Sequence, residues 1–348
     1  MRIGKKLPIG IQSFEEMRTN GYYYVDKTYF VSKLASEGKY YFLSRPRRFG
    51  KSLFLDTLRQ AFLGKKKLFE GLYLENNWNW DEFHPVILIN FGDGVVEDEK
   101  NLEEVMSEIL LENAENYGVK LRKRLINYRL KELIVSLYEK YRSKVVVLID
   151  EYDKPILDRI EGESETVLRI REKLKNFYSV LKGADEYLRF VFITGVSKFS
   201  KVSLFSGINQ LQDITLNREY ATICGYTQKE FEEVFAPELA GLNLEDIRTW
   251  YNGYSWLGEP VYNPFDVLLY LSEKVFRPYW FETGTPAFLV KLLINKRFHI
   301  PDLESLFANE NLLGYFDIDF IEPENLLFQT GYLTIRKLRK LQRELSMC

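Results

Sequence analysis

Histidine, cysteine and net charge are what these 348 residues have little of. The two histidines, His84 and His299, are far apart in the chain, so no metal cluster and no Ser-His-Asp arrangement can be read. Of the two cysteines, Cys224 and Cys348, one is the last residue; this excludes a structural disulfide framework and fits a reducing compartment. The formal charge of -2 lends no global electrostatic support to nucleic-acid binding, although it leaves room for a local basic patch. No apolar run approaches the ~20 residues needed to cross a bilayer. The start Met1-Arg2-Ile3-Gly4-Lys5-Lys6 has no apolar stretch behind it, so no signal peptide is read and the cytoplasm is the expected location. Internal repeats and low-complexity segments are also missing.

What the chain has is apolar and aromatic residues, 46% and 15%, enough to build a core. Its length suggests two domains. Tyr40–Leu43, Pro85–Phe91, Lys144–Asp150, Leu188–Thr194 and Asp213–Leu216 read as strands, and Lys51–Phe62, Glu99–Tyr117, Leu121–Arg142 and Ser164–Lys182 as helices. Strands alternating with helices argue for a mostly parallel sheet with helices on both faces. After Gly225 the pattern changes to short helices at Gln228–Phe235 and Leu244–Tyr251 and to segments broken by Pro and Gly. A boundary is placed near 220, giving an α/β unit over 1–220 and a mainly helical unit over 221–348. Arg336–Glu344 reads as a charged terminal helix.

The first motif is Arg45-Pro46-Arg47-Arg48-Phe49-Gly50-Lys51-Ser52, with Leu53 following. Its end matches the phosphate-binding pattern G-x-x-x-x-G-K-[ST], while Arg45 occupies the first glycine position. A strand precedes it and a helix starts at Lys51. In that context the helix N-terminus can receive an anion, Gly50 lets the backbone approach, Lys51 reaches phosphate and Ser52 holds Mg2+. Arg47 and Arg48 add positive charge. The tripeptide alone also fits an ordinary strand-to-helix turn. The second motif is the apolar run Val145–Ile149 ending in Asp150-Glu151, the Walker B pattern: Asp150 to orient Mg2+ and Glu151 to polarise water. Two adjacent acids ending a buried strand are costly unless a cation or polar site uses them. Third, the strand 188–193 ends in Thr194-Gly195-Val196-Ser197, where Thr194 and Ser197 could sense a terminal phosphate or simply mark a polar strand end. Asp153 reads as a helix cap, Arg218 as a surface residue, and the five tryptophans as core.

These residues resemble the prokaryotic AAA-ATPase-like proteins. The resemblance is carried by Tyr24-Val25-Asp26-Lys27-Thr28, Arg45–Leu53, Leu148–Pro155 and Phe192–Ser200, then Trp250–Tyr254, Val261–Pro264 and Gln329–Leu333. It implies that Arg45 belongs to this family's own form of the loop. It also implies that Asp26-Lys27-Thr28 lies near the adenine side of a nucleotide, and that residues after about 220 form a lid and a helical or winged-helix region. Many members carry a further nuclease-like domain. No acid, acid, E-x-K constellation is found here, so no nuclease activity is expected, whether the chain is a shortened piece or a short natural member. The expectation is therefore a P-loop NTPase fold binding ATP with Mg2+ and hydrolysing it slowly. A non-hydrolysing nucleotide switch and a DNA-associated protein acting through a winged helix stay open beside it. The protein partner and the oligomeric state are unassigned.

Overall fold

The computed structural model describes residues 5–159, 164–198, 204–284, 293–294 and 323–337. Two short helices, α1 (Phe14–Thr19) and α2 (Thr28–Glu37), precede the first strand, β1 (Tyr40–Ser44). Then come α3 (Lys51–Phe62), β2 (Val86–Asn90), α4 (Glu99–Asn116), α5 (Ile126–Tyr141) and β3 (Val145–Asp150). After the single turn α6 (Lys154–Leu157) follow α7 (Ser164–Gly183), β4 (Leu188–Gly195) and the two-residue β5 (Gln212–Asp213). The five strands form one parallel sheet in the order β2-β3-β4-β1-β5. This is the α/β parallel sheet read from the sequence.

β1 to β4 are mostly apolar because both faces of the sheet are covered there. Strand geometry alternates the side chains. Phe42, Ile89, Val145, Val147, Ile149, Val191 and Ile193 pack with α4, α5 and α7 on one face. Tyr41, Leu43, Val146, Leu148, Phe190 and Phe192 pack with Phe54, Leu55, Leu58 and Phe62 of α3 on the other. Asp150 and Thr194 continue the second series, two residues beyond Leu148 and Phe192. Both therefore lie on the α3 side, at the C-terminal edge of the strands, where open α/β sheets bind ligands.

Two elements are shorter than expected, for local reasons. The second long helix begins at Ile126 instead of Leu121. The Glu132 carboxylate accepts the backbone N–H groups of Arg122 and Lys123, and the Arg129 guanidinium donates to Lys123 O, which together hold that stretch extended. β5 stops at Asp213 because its carboxylate turns back to accept from Thr215 N, while Thr215 Oγ1 accepts from Ser44 N.

Past residue 220 lie α8 (Gln228–Val234), α9 (Leu244–Tyr251), a two-stranded β6 (Asn252–Tyr254) and β7 (Val261–Tyr262), α10 (Pro264–Glu273), α11 (Tyr279–Gly284) and α12 (Pro323–Gln329). α8 starts with a capping box between Thr227 and Glu230. Tyr23 and Val25 pack into this region with Phe231, Phe235, Tyr251 and Tyr262. The expected terminal helix over 336–344 lies almost wholly outside the described residues, as do 285–292 and 295–322 of the region 221–348 where a helical or winged-helix unit was expected.

Candidate functional site

The loop after β1 is built from two left-handed residues. Arg48 has φ 70° and Gly50 φ 87°. Gly50 stands at the N-cap of α3 and supplies no side-chain cap, so the first-turn N–H groups of the helix are not screened by one. A β-carbon at Gly50 would meet nothing within 4 Å, so the requirement for glycine is conformational and the space above the turn is open. Lys51 is buried and curls into the loop, where Nζ donates to Arg45 O and Pro46 O at 2.9 Å each. Those carbonyls stand where anionic oxygens would satisfy the same ammonium. Burial lowers the pKa of Lys51, while the nearby carboxylates of Asp150 and Glu151 oppose the shift.

Asp150 is buried at the end of β3 and accepts the N–H of Glu151 at 3.0 Å. Glu151 has φ 51°, a left-handed conformation that costs a non-glycine residue about 1 kcal/mol or more and turns the chain off the sheet edge. Desolvation raises the Glu151 pKa, partly offset by Lys51; the charges of Asp150 and Asp153 add to the rise. Thr194 Oγ1 is buried without a hydrogen-bond partner, at the end of the strand that pairs with both β1 and β3.

A cavity of about 410 Å³ opens over the loop, within the size range of small-molecule sites. Arg47, Arg48, Phe49, Gly50, Lys51, Ser52 and Leu53 line one end with Glu151. The opposite walls come from Gly10–Gln12 and Tyr23–Val25, from Ile223–Tyr226, and from Phe265 and Leu268. Lys27 also reaches this wall, where Nζ donates to Thr222 O (2.8 Å) and pairs with Glu230 at 2.7 Å. Burial outweighs that carboxylate and lowers the pKa of Lys27.

Five residues take places other than those expected. Arg45 does not line the cavity. It is 1% exposed, donates to Ser44 O, Thr215 O and Tyr220 O, and lies 4.2 Å from the centre of the Trp256 ring. Ser197 is engaged by Asp153, which accepts from both its N–H and its hydroxyl at 2.7 Å. Asp153 therefore stands at the start of α6 without capping it; its carboxylate holds the 195–197 turn, and a β-carbon at Gly195 would meet it at 2.5 Å. Asp26 accepts from Thr28 N, Thr28 Oγ1 and Tyr73 N, and its neighbour Lys27 faces the cavity instead. Phe49 contributes its position in the loop, but its ring is buried against Tyr254 and Trp256. Arg218 is exposed, as expected.

The walls from 223–226 and 265–268 were not found by sequence reasoning. They carry no charge pattern; the only signal was the Tyr24–Thr28 block, which reaches the same wall. Across the described residues no helix is long and apolar enough to cross a membrane.

Comparison with known proteins gives the family. An uncharacterised protein from the vnfD 5' region of Azotobacter chroococcum mcd 1 is 51% identical over 338 residues, which is 97% of this chain. The chain spans 65% of that relative's length. The model of the family described as Predicted AAA-ATPase matches residues 8–205. By that match and by the fold that carries it, the chain belongs to the AAA-ATPase-like family, whose description supports a nucleotide-binding, ATPase-like function.

Proposed function

We propose that the cavity binds ATP with Mg2+ and hydrolyses the terminal phosphate slowly. The observation that carries this reading is that Lys51 and Glu151, a hundred positions apart in sequence, line one cavity at the strand edge. In this reading Lys51 exchanges its two carbonyl partners for phosphate oxygens. The uncapped first turn of α3 receives the same anion, and Arg47 adds charge from the exposed side of the loop. Bound magnesium would neutralise phosphate charge and template the displacement. Ser52 and Asp150 suit it, because magnesium keeps several waters and takes few protein ligands. Glu151 accepts a proton from water, and Thr194 offers its unpaired hydroxyl beside the acids. The apolar walls at 10–12, 23–25 and 223–226 would take the base.

A second reading is supported by the docking of the loop. Pro46 lies against Gly331, Phe49 O accepts from Gly225 N at 3.3 Å, and Arg48 covers Phe265 at 4.7 Å. Occupancy of the loop would then be transmitted to the region after 220 without hydrolysis. On either reading 1–220 supplies the phosphate loop and the acids, and 221–348 closes the cavity and responds to its occupancy.

Nucleotide titration and phosphate release on wild type, Lys51→Ala and Glu151→Gln decide between them. The hydrolytic reading expects wild type to bind and turn over Mg·ATP, Lys51→Ala to lose affinity, and Glu151→Gln to bind without turnover. Binding with no turnover in wild type would leave the switch. No binding at all would sink both.

A further inference from the structure

Away from the nucleotide cavity, the charge of this near-neutral chain is unevenly distributed. Between Glu115 and Glu132 there is no acid, while Lys120, Arg122, Lys123, Arg124, Arg129 and Lys131 all fall in that interval. All but Arg129 are exposed, and none of those five makes an ion pair with any described residue. The segment is also held in shape. Arg129 donates to Lys123 O and to Ser107 Oγ of α4, and Glu132 holds the two backbone N–H groups at 122 and 123.

A solvated surface accounts poorly for two of its features. Arg122, Lys123 and Arg124 stand just ahead of α5, at the positive end of a 16-residue helix whose first turn has no acid and no side-chain cap. Like charge there disfavours the helix, and the single Glu132 carboxylate on the N–H groups of Arg122 and Lys123 stands against three cations. Leu125 and Tyr128, 58% and 54% exposed, project from the middle of the same cationic array.

We propose that residues 120–131 form a binding surface for single-stranded nucleic acid, with the cations on successive phosphates and Tyr128 stacked on an unpaired base. Single-strand binders combine cations that track the backbone with aromatic side chains on which bases stack, and this segment exposes both. A duplex keeps its bases stacked inside and gives Tyr128 no partner. A membrane surface calls for a broad apolar helix face, and two apolar side chains do not make one. α4 and α5 cover the sheet face opposite α3, so this surface is separate from the nucleotide cavity and the inference does not depend on the ATP reading.

Fluorescence anisotropy of a labelled single-stranded oligonucleotide on the full chain tests it at two salt concentrations. With about five phosphate contacts, a slope of about −0.7 per contact makes affinity fall about a hundredfold over a fourfold rise in salt. The triple variant Arg122→Ser, Lys123→Ser, Arg124→Ser should lose most of the binding, and Tyr128→Ala about tenfold; nucleotide affinity should be unchanged in both. Circular dichroism confirms that the variants fold. The proposal is overturned by no binding at low salt, by a triple variant that binds like wild type, or by a duplex of the same sequence binding equally well. It is also overturned if Tyr128→Ala is silent while anionic vesicles or poly-glutamate bind as tightly.

Discussion

The 45–52 loop has two halves that lie against different things. Arg45 and Pro46 are buried, with the guanidinium bonded to the carbonyls of Thr215 and Tyr220 and stacked on Trp256. From Arg47 to Ser52 the chain faces the cavity, with Arg47 and Gly50 exposed. Three arginines in four residues thus divide into one that fastens the loop from behind and two on its open side. A cation in a phosphate loop is not thereby a phosphate ligand. What it does depends on which carbonyls and rings surround it.

The difference can be broken experimentally, beginning where the effect should be largest. Glu151→Gln removes a candidate base from the cavity side, so ATP turnover should fall about 10²–10⁴-fold with nucleotide affinity kept, as read by phosphate release. The same residue sets a pH dependence. Its pKa is raised above the ordinary carboxylate value of 4.5, so turnover should fall with acid at a pH above that value, and the remaining activity of Glu151→Gln should lack this limb. Turnover that declines only near or below 4.5 would contradict the assignment.

Next comes Asp266, on the helix whose Phe265 covers Arg48. Trp280 N donates to its carboxylate at 2.7 Å, and burial pushes its pKa up to about 7. The folded chain then holds a proton that the unfolded chain releases between the ordinary aspartate value of 3.8 and about 7. Stability should therefore fall as pH rises through that window, by at most about 4 kcal/mol, with the loss complete above it. Asp266→Asn should flatten the trend in denaturant midpoints between pH 5 and pH 8; an unchanged slope would assign it to other groups.

Arg45→Ala strips charged donors from three carbonyls and exposes Trp256 to a void. A loss of about 3 kcal/mol in urea unfolding is expected. Arg47→Ala should leave stability within about 0.5 kcal/mol but weaken nucleotide binding several-fold in titration. Equal effects from the two substitutions would erase the distinction between the halves.

Much of this arrangement was legible in the residues. Continuous apolar runs marked β1 to β4, and the step from Ser44 through Gly50 to the helical spacing of Leu55, Leu58 and Phe62 marked the loop and α3. Adjacent acids after Val145–Ile149 marked the sheet edge. Other features were not legible, because their partners are distant in sequence. The hydroxyl of Ser197 looked free until Asp153 was seen to take it. Asp26 and Lys27 are adjacent, and only the packing of α2 against the 73–76 turn decides that the acid bonds inward while the lysine reaches Glu230.

By itself the sequence determined the parallel sheet, the phosphate-loop signature ending in Gly50-Lys51-Ser52 and the acid pair Asp150-Glu151. These rest on local rules: side-chain period, turn chemistry and the cost of burying charge. Only the tertiary structure decided which arginines face the cavity, which walls close it, and that the cations of 120–131 other than Arg129 lie exposed on the other side of the sheet. Contacts across hundreds of residues, such as Lys27 to Glu230, leave no spacing or periodicity to read. They arise only when packing brings the two segments together.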